Sequence, residues 1–166
     1  MDDGAPPRWL DDEQMRSWLR LQAVIGLLPA LLDQQLRRDA HLTHFEYLTL
    51  AMLSEAPDRS LRMSDLARLT SATLPRLSHV ARRLEERGYL DRGPAPDDRR
   101  ATVAHLTEDG WDKVVASAPG HARTVLETVY DDLDPEDLRA LTRVLDAILA
   151  HVDPHDTFGL ADHERR

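Results

Sequence analysis

The side chains best equipped for chemistry in this chain are arginines, and they fall into two short sets. The first lies in "LPRLSHVARRLEERG" (74–88), where Arg76, Ser78, His79, Arg82 and Arg83 oppose an apolar period of Leu74, Leu77, Val80, Ala81 and Leu84. The second lies in "PAPDDRRATVAHL" (94–106), which sets Asp98, Arg99 and Arg100 on a short turn. A turn needs no guanidinium. The planar guanidinium fork fits phosphate oxygens and the O6/N7 edge of guanine, so both sets suit a nucleic acid. On a helix entering a major groove N-terminus first, Arg76, Ser78 and His79 reach base edges. Thr73 and Pro75 stand at the start of that helix, and Arg82 and Arg83 lie further along, at phosphate reach. The competing reading is a solvated helix face whose arginines pair with Glu85 and Glu86.

A formal net charge of −9 over 166 residues argues at first against such a partner. The distribution reverses that argument. Residues 61–100 hold nine Arg against six Asp and Glu, while the rest of the chain holds twelve Lys and Arg against twenty-four acids. There is no cysteine, which excludes disulfides, thiolate metal sites and thiol redox sensing. No nucleophile elbow, glycine-rich phosphate loop or His-Glu-x-x-His occurs, so neither an enzyme nor a cofactor is expected. His41 and His44 stand three apart, with Glu46, His105 and His121 as remote possible ligands. That spacing is too weak to predict a metal site.

The elements that would position these residues announce themselves by their caps. Asp11 with Gln14 is a capping box opening a helix to about Arg38, apolar on more than one side from Leu19 to Leu32, with Pro29 expected to kink it. Thr43 with Glu46 opens a second helix that stops before Pro57. "PDRSLR" (57–62) reads as a loop, Ser64 as the cap of a short helix, and Thr73 as the cap of 74–87, which Gly88 ends. "YLDR" and "RATVAHL" flank the arginine turn as a hairpin. Thr107 caps a long helix expected to break at "APG" (118–120). Asp134 caps the last helix, with Pro135 at its first position and Leu138, Leu141, Val144, Leu145 and Ile148 on one face.

The fold class expected is mainly α with a small β-hairpin wing. A winged helix-turn-helix lobe (about 43–106) sits between N- and C-terminal dimerisation helices (about 11–38 and 107–151). Residues 1–10 are expected to be disordered and 153–166 a flexible tail. The start lacks a basic n-region, and the longest apolar stretch is too polar to span a bilayer, so a cytoplasmic protein is expected.

"LARLTSATLPRLSHVARRLEERGYLDRGPAPDDRRATVAHLTEDG" (66–110) closely resembles the DNA-binding core of the MarR family of transcription regulators. The resemblance rests on Leu84–Gly88 (Leu-Glu-x-Arg-Gly), on Asp98-x-Arg100 at the wing, and on Leu106–Gly110 (Leu-Thr-x-x-Gly), with flanking helices that fit the family's dimerisation elements. It implies a homodimer on double-stranded DNA, usually a repressor, released by a small aromatic acid. It also implies that Arg76, Ser78 and His79 face the major groove, with Thr73 at the helix start, and that Asp98 and Arg100 form the wing pair. Pro75 departs from the family, which more often has a polar residue there. Ligands of the family lodge between the dimer helices and the lobe, a region that here draws on Trp18, Arg20, Gln22, His41, His44 and Tyr47. The plain alternative for those residues is core, interface or surface. The alternative for the whole chain is a dimeric helical interaction module that reads no DNA.

Overall fold

The computed structural model describes residues 7–95, 98 and 100–157. Helix α1 (Asp12–Ala40) opens on the capping box: the Asp11 carboxyl accepts the Gln14 N–H, and the Gln14 side chain accepts the Asp11 N–H. It ends at His41, which adopts the left-handed conformation. A second box, Thr43 with Glu46, opens α2 (His44–Glu55). A 3₁₀ turn (Pro57–Arg59), strand β1 (Ser60–Arg62), α3 (Met63–Leu69) and α4 (Leu74–Glu86) follow. Strands β2 (Leu90–Pro94) and β3 (Thr102–Leu106) lead into α5 (Glu108–Val125), a π-helical turn (Leu126–Tyr130) and α6 (Pro135–Val152). At α6 the Asp134 carboxyl accepts the N–H groups of both Glu136 and Asp137. No helix among the described residues is long and apolar enough to cross a membrane.

Several local expectations are corrected. The stretch 57–62 is not a loop throughout. Ser60–Arg62 pairs with β3 in the register Ser60↔His105, Leu61↔Ala104, Arg62↔Val103, giving an antiparallel sheet of order β1-β3-β2 rather than a bare hairpin. Three residues are too few to display a period of two, so the strand exists only through its partner. Ser64 lies inside α3, whose N-cap is Arg62, and the Thr73 hydroxyl makes no capping bond although Thr73 occupies the N-cap of α4. Helix α5 runs unbroken through Ala118–Gly120; α1 carries Pro29 inside it, within the single helix expected. Each internal proline forfeits one hydrogen bond, to the carbonyl of Ile25 or Val115. Both residues are more than half exposed, so each loss falls on the solvent side of its helix.

The core belongs to the lobe. Leu36 of α1, Leu42, Leu50 and Leu53 around α2, Leu66 of α3, Leu77 and Leu84 of α4, and Leu90 of β2 are completely buried in one cluster. By contrast α6 has no buried residue, and the first buried residue of α1 is Leu32. Leu19, Val24, Ile25 and Leu27 of α1 and Leu138, Val144, Leu145 and Ile148 of α6 stand exposed. Beyond α6, the Arg68 guanidinium of α3 donates to the Thr157 carbonyl at 2.8 Å. The outer parts of the two terminal segments, 1–6 and 158–166, lie outside the described residues.

One junction sets the angle between recognition helix, wing and α5. Gly88, at φ +75°, lets α4 end in a Schellman turn: its own N–H bonds Glu85 O, and the Tyr89 N–H bonds Leu84 O. Thr107 then donates its hydroxyl to Gly88 O at 2.7 Å and its N–H to Tyr89 O, while its Oγ1 caps Gly110. Gly110 is buried against the Tyr89 carbonyl, where an added Cβ would overlap that oxygen and come within 2.7 Å of Leu106 Cδ1. Gly110→Ala is therefore expected to cost about 3 kcal/mol of folding stability, read as a lowered denaturation midpoint. An unchanged midpoint would show that this contact is soft.

Candidate nucleic-acid interface

Leu77, Val80, Ala81 and Leu84 turn one side of α4 into the core. At about 100° per residue, the opposite side is centred on Pro75, His79 and Arg82, with Leu74 and Ser78 on the flank toward the wing and Arg76 and Arg83 on the flank toward α2. The contacts agree. The Arg76 guanidinium lies over the Phe45 ring at 4.4 Å. Arg83 stands 3.0 Å from a carboxyl oxygen of Glu46, a residue only 1% exposed, and Arg87 donates to His41 O at 3.0 Å. Arg83 is thus occupied in holding α4 to α2. Arg82 donates to Glu86 at 3.0 Å and to His79 Nδ1 at 3.2 Å, a surface pairing that contributes little. Glu85 turns away to Arg92 of β2, whose hydrogen bond holds its carboxyl below the usual range. Leu74, grouped with the core positions in the sequence, is instead 48% exposed.

At the wing, the Asp98 carboxyl accepts the backbone N–H of Arg100 at 2.9 Å, Ala101 N–H bonds Asp98 O, and Ala95 N–H bonds Ala101 O. Asp98 therefore fixes the backbone of the turn rather than the guanidinium beside it. Arg100 is exposed; Arg99 lies outside the described residues. Between the wing base and the starts of α3 and α4 is a concavity of about 280 Å³, lined by Ser64, Leu74, Ser78, Arg92, Arg100 and Thr102 among others. Arg92 and Thr102 escaped sequence reasoning because only the sheet register (Arg92↔Ala104, Pro94↔Thr102) brings them to this place, and Ser64 because it reaches the wing only through the packing of α3.

Within one chain, the six residues assigned to a ligand site lie apart. Trp18, Arg20 and Gln22 lie exposed on the N-terminal half of α1, and Trp18 is about 35 Å along the helix from His41. Arg20 instead edges an apolar cavity of about 520 Å³ between α1, the π-helical turn and α6, with Leu21, Val24, Val129 and Leu145 in its walls. His41 borders a small polar cleft with Arg37, Thr43, Glu46 and Arg83. Only His44 and Tyr47 come together, and His121 of α5 joins them, its ring 5.8 Å from His44 and 4.7 Å from Tyr47. Burial pushes both imidazoles below their ordinary pKa and the Tyr47 phenol above its own; His44 adds to the effect on His121, while Asp33 partly offsets it at His44. His121 Nδ1 and, nearby on α1, Gln35 Oε1 are buried without a hydrogen-bond partner. Among the described residues no three His, Asp or Glu side chains are arranged to hold a metal, and His105 pairs with Ser60 Oγ at 2.7 Å.

The chain is similar to known proteins across this whole arrangement. The model of the MarR family matches residues 42–101. Sco3205, a MarR family transcriptional regulator from Streptomyces coelicolor whose crystal structure is in complex with DNA, is 37% identical over 92% of this chain and 96% of its own, with a TM-score of 0.85. AbsC, a MarR family transcriptional regulator of the same organism, is 36% identical over 90% of this chain and all of its own, with a TM-score of 0.83. An uncharacterized HTH-type transcriptional regulator of Bacillus subtilis, YdcH, is 32% identical over 80 residues. That match spans 47% of this chain and 54%, about half, of the relative.

The lowered pKa values of His44 and His121 make a signed prediction. The folded state favours the neutral imidazoles, so their contribution is fully present above the unfolded value of about 6.5 and is lost as pH falls below it toward their folded values. The thermal midpoint is expected to drop between pH 7.5 and 5.5, and to drop less in the His44→Gln, His121→Gln double variant. Parallel pH profiles for the two proteins would remove the pair from this role.

Proposed function

Because this chain belongs to the MarR family of winged helix-turn-helix transcription regulators, we propose that it is a sequence-specific DNA-binding repressor. It acts in the cytoplasm as a homodimer on a pseudo-palindromic operator with half-sites about 10 bp apart, and a small aromatic acid releases it. One observation carries the DNA reading. Leu74 and Ser78, on the wing-side flank of the outward row of α4, line the same concavity as Arg100 of the wing, so a single duplex can meet helix and wing together. Ser78 and His79 take base edges; Arg82 and Arg100 take phosphates, Arg100 at the wing, where a narrow minor groove attracts guanidinium. Arg76 keeps its stacking on Phe45 and approaches from the α2 side, Arg83 sets the pose of the helix, and the Thr73 hydroxyl, which makes no capping bond, is available to the duplex at the helix start.

The homodimer reading is supported by the apolar faces of α1 and α6 that this chain leaves uncovered. An 18-residue helix with an apolar row and nothing buried needs another surface, and a second copy offers the same pair of faces. The lobe (about 43–106) then meets DNA, and the two helical segments (about 11–38 and 107–151) form the base. The ligand reading is supported by the half-buried His44, Tyr47 and His121 group, with its unpartnered nitrogen, at the join between lobe and base. An aromatic ring stacks there and an acid group accepts from imidazole.

A dimer neutralising six or more phosphates gives log K against log[salt] a slope of about −5 or steeper, whereas an interaction module of the same fold binds weakly and without sequence preference. Arg100→Ala in both subunits is expected to weaken operator binding and flatten that slope by about 2, with the dimer still folded. Unchanged affinity would take the wing out of the mechanism. For the ligand, a panel of benzoic and cinnamic acids screened by thermal shift should contain compounds that raise the midpoint in the parent and not in His121→Gln. A flat response across the panel would overturn the aromatic-acid reading.

A further inference from the structure

We infer that Leu74 is a specificity-determining residue, an apolar probe at the tip of α4 that reads the C5-methyl of a thymine in each operator half-site. This rests on the DNA-binding reading above and names a base feature that the reading leaves open.

Three observations lead to it. Leu74 is 48% exposed although the four apolar positions Leu77, Val80, Ala81 and Leu84 already fill the core side of the helix, so packing within the lobe does not account for it. It lies in the concavity between the α4 row and the wing, beside Ser78 and Arg100, so a duplex that touches both must cover it. Finally, its neighbour Pro75 also has a hydrocarbon side chain, so the first two helical positions of α4 present no side-chain hydrogen-bonding group, and Pro75 lacks a backbone N–H as well. The edges of the four bases in the major groove are donors and acceptors with one exception, the thymine methyl. A tip of Leu and Pro meets only that exception favourably. Placed over a purine N7 or a cytosine amino group, it would strip water from a polar edge and return nothing. The departure at Pro75 therefore exchanges one kind of readout for another.

The test uses the full-length protein and a duplex recovered by binding selection from a random-sequence pool. Each thymine of a half-site is replaced in turn by deoxyuridine, which deletes the methyl group alone, and the dissociation constant is measured at fixed salt. One position per half-site is expected to show a loss of about fourfold, the size of one buried methyl, and that loss should vanish in Leu74→Ala. Because Leu74 is exposed, the variant is expected to keep the parent's thermal midpoint. Two results overturn the inference while leaving DNA recognition intact: no deoxyuridine effect that depends on Leu74, or a Leu74→Ala loss equal on every duplex, which would put the side chain against the sugar–phosphate backbone. Failure to recover any preferred duplex overturns the DNA-binding reading itself, and this inference with it.

Discussion

The arrangement depends on the carboxyl group of Glu46, buried where α1, α2 and α4 meet. One of its oxygens receives the Thr43 N–H, completing the cap of α2, while the guanidinium of Arg83 lies 3.0 Å from the other and that of Arg87 3.8 Å from the first. An acid removed from water at such a depth is tolerable only with partners. Those partners come from the recognition helix, so the rotation of α4 about its axis is tied to the first turn of α2. The row that points outward, Pro75, His79 and Arg82, is the row opposite that attachment and the leucines beside it. Arginine thus has two employments on one helix. Arg76 and Arg83 settle its pose against α2, Arg87 at its end reaches Glu46 and the His41 carbonyl, and Arg82 stays on the open side.

The same tie gives a route between lobe and base. His44 follows the cap residue of α2 directly, its N–H donates to Asp33 of α1 at 2.9 Å, and its ring meets His121 of α5. His44, Glu46 and Tyr47 share the first turn of α2, so the ring group against α5 and the carboxyl held by α4 lie in one contiguous chain of contacts.

Features carried by residues close in sequence were legible before any coordinates. The capping boxes at Asp11 and Thr43, the Thr107 and Asp134 caps and the Gly88 stop are each written within four residues, and each formed as read. The family signature also has a plain physical content, since Gly88, Thr107 and Gly110 are the three points where α4, β2 and α5 touch backbone to backbone. What escaped was tertiary. Strand β1 depends on β3, which lies about 40 residues further on, and Pro119 was read by its local habit although its lost bond falls on an exposed turn. Leu74 fits the apolar period but sits beyond the reach of the core. The six residues assigned to a ligand site are also separated within one chain, since residues 18–22 lie in the first half of α1 and residues 41–47 follow its end.

Helix α6 shows what the missing burial implies for the life of the protein. Eighteen residues with an apolar row and no buried side chain draw little free energy from their own chain, and so does the exposed front half of α1. In a homodimer, assembly and completion of the fold become a single event. For the homodimer proposed above, stability would then rise with protomer concentration, so the two terminal helices are completed only where enough chains meet.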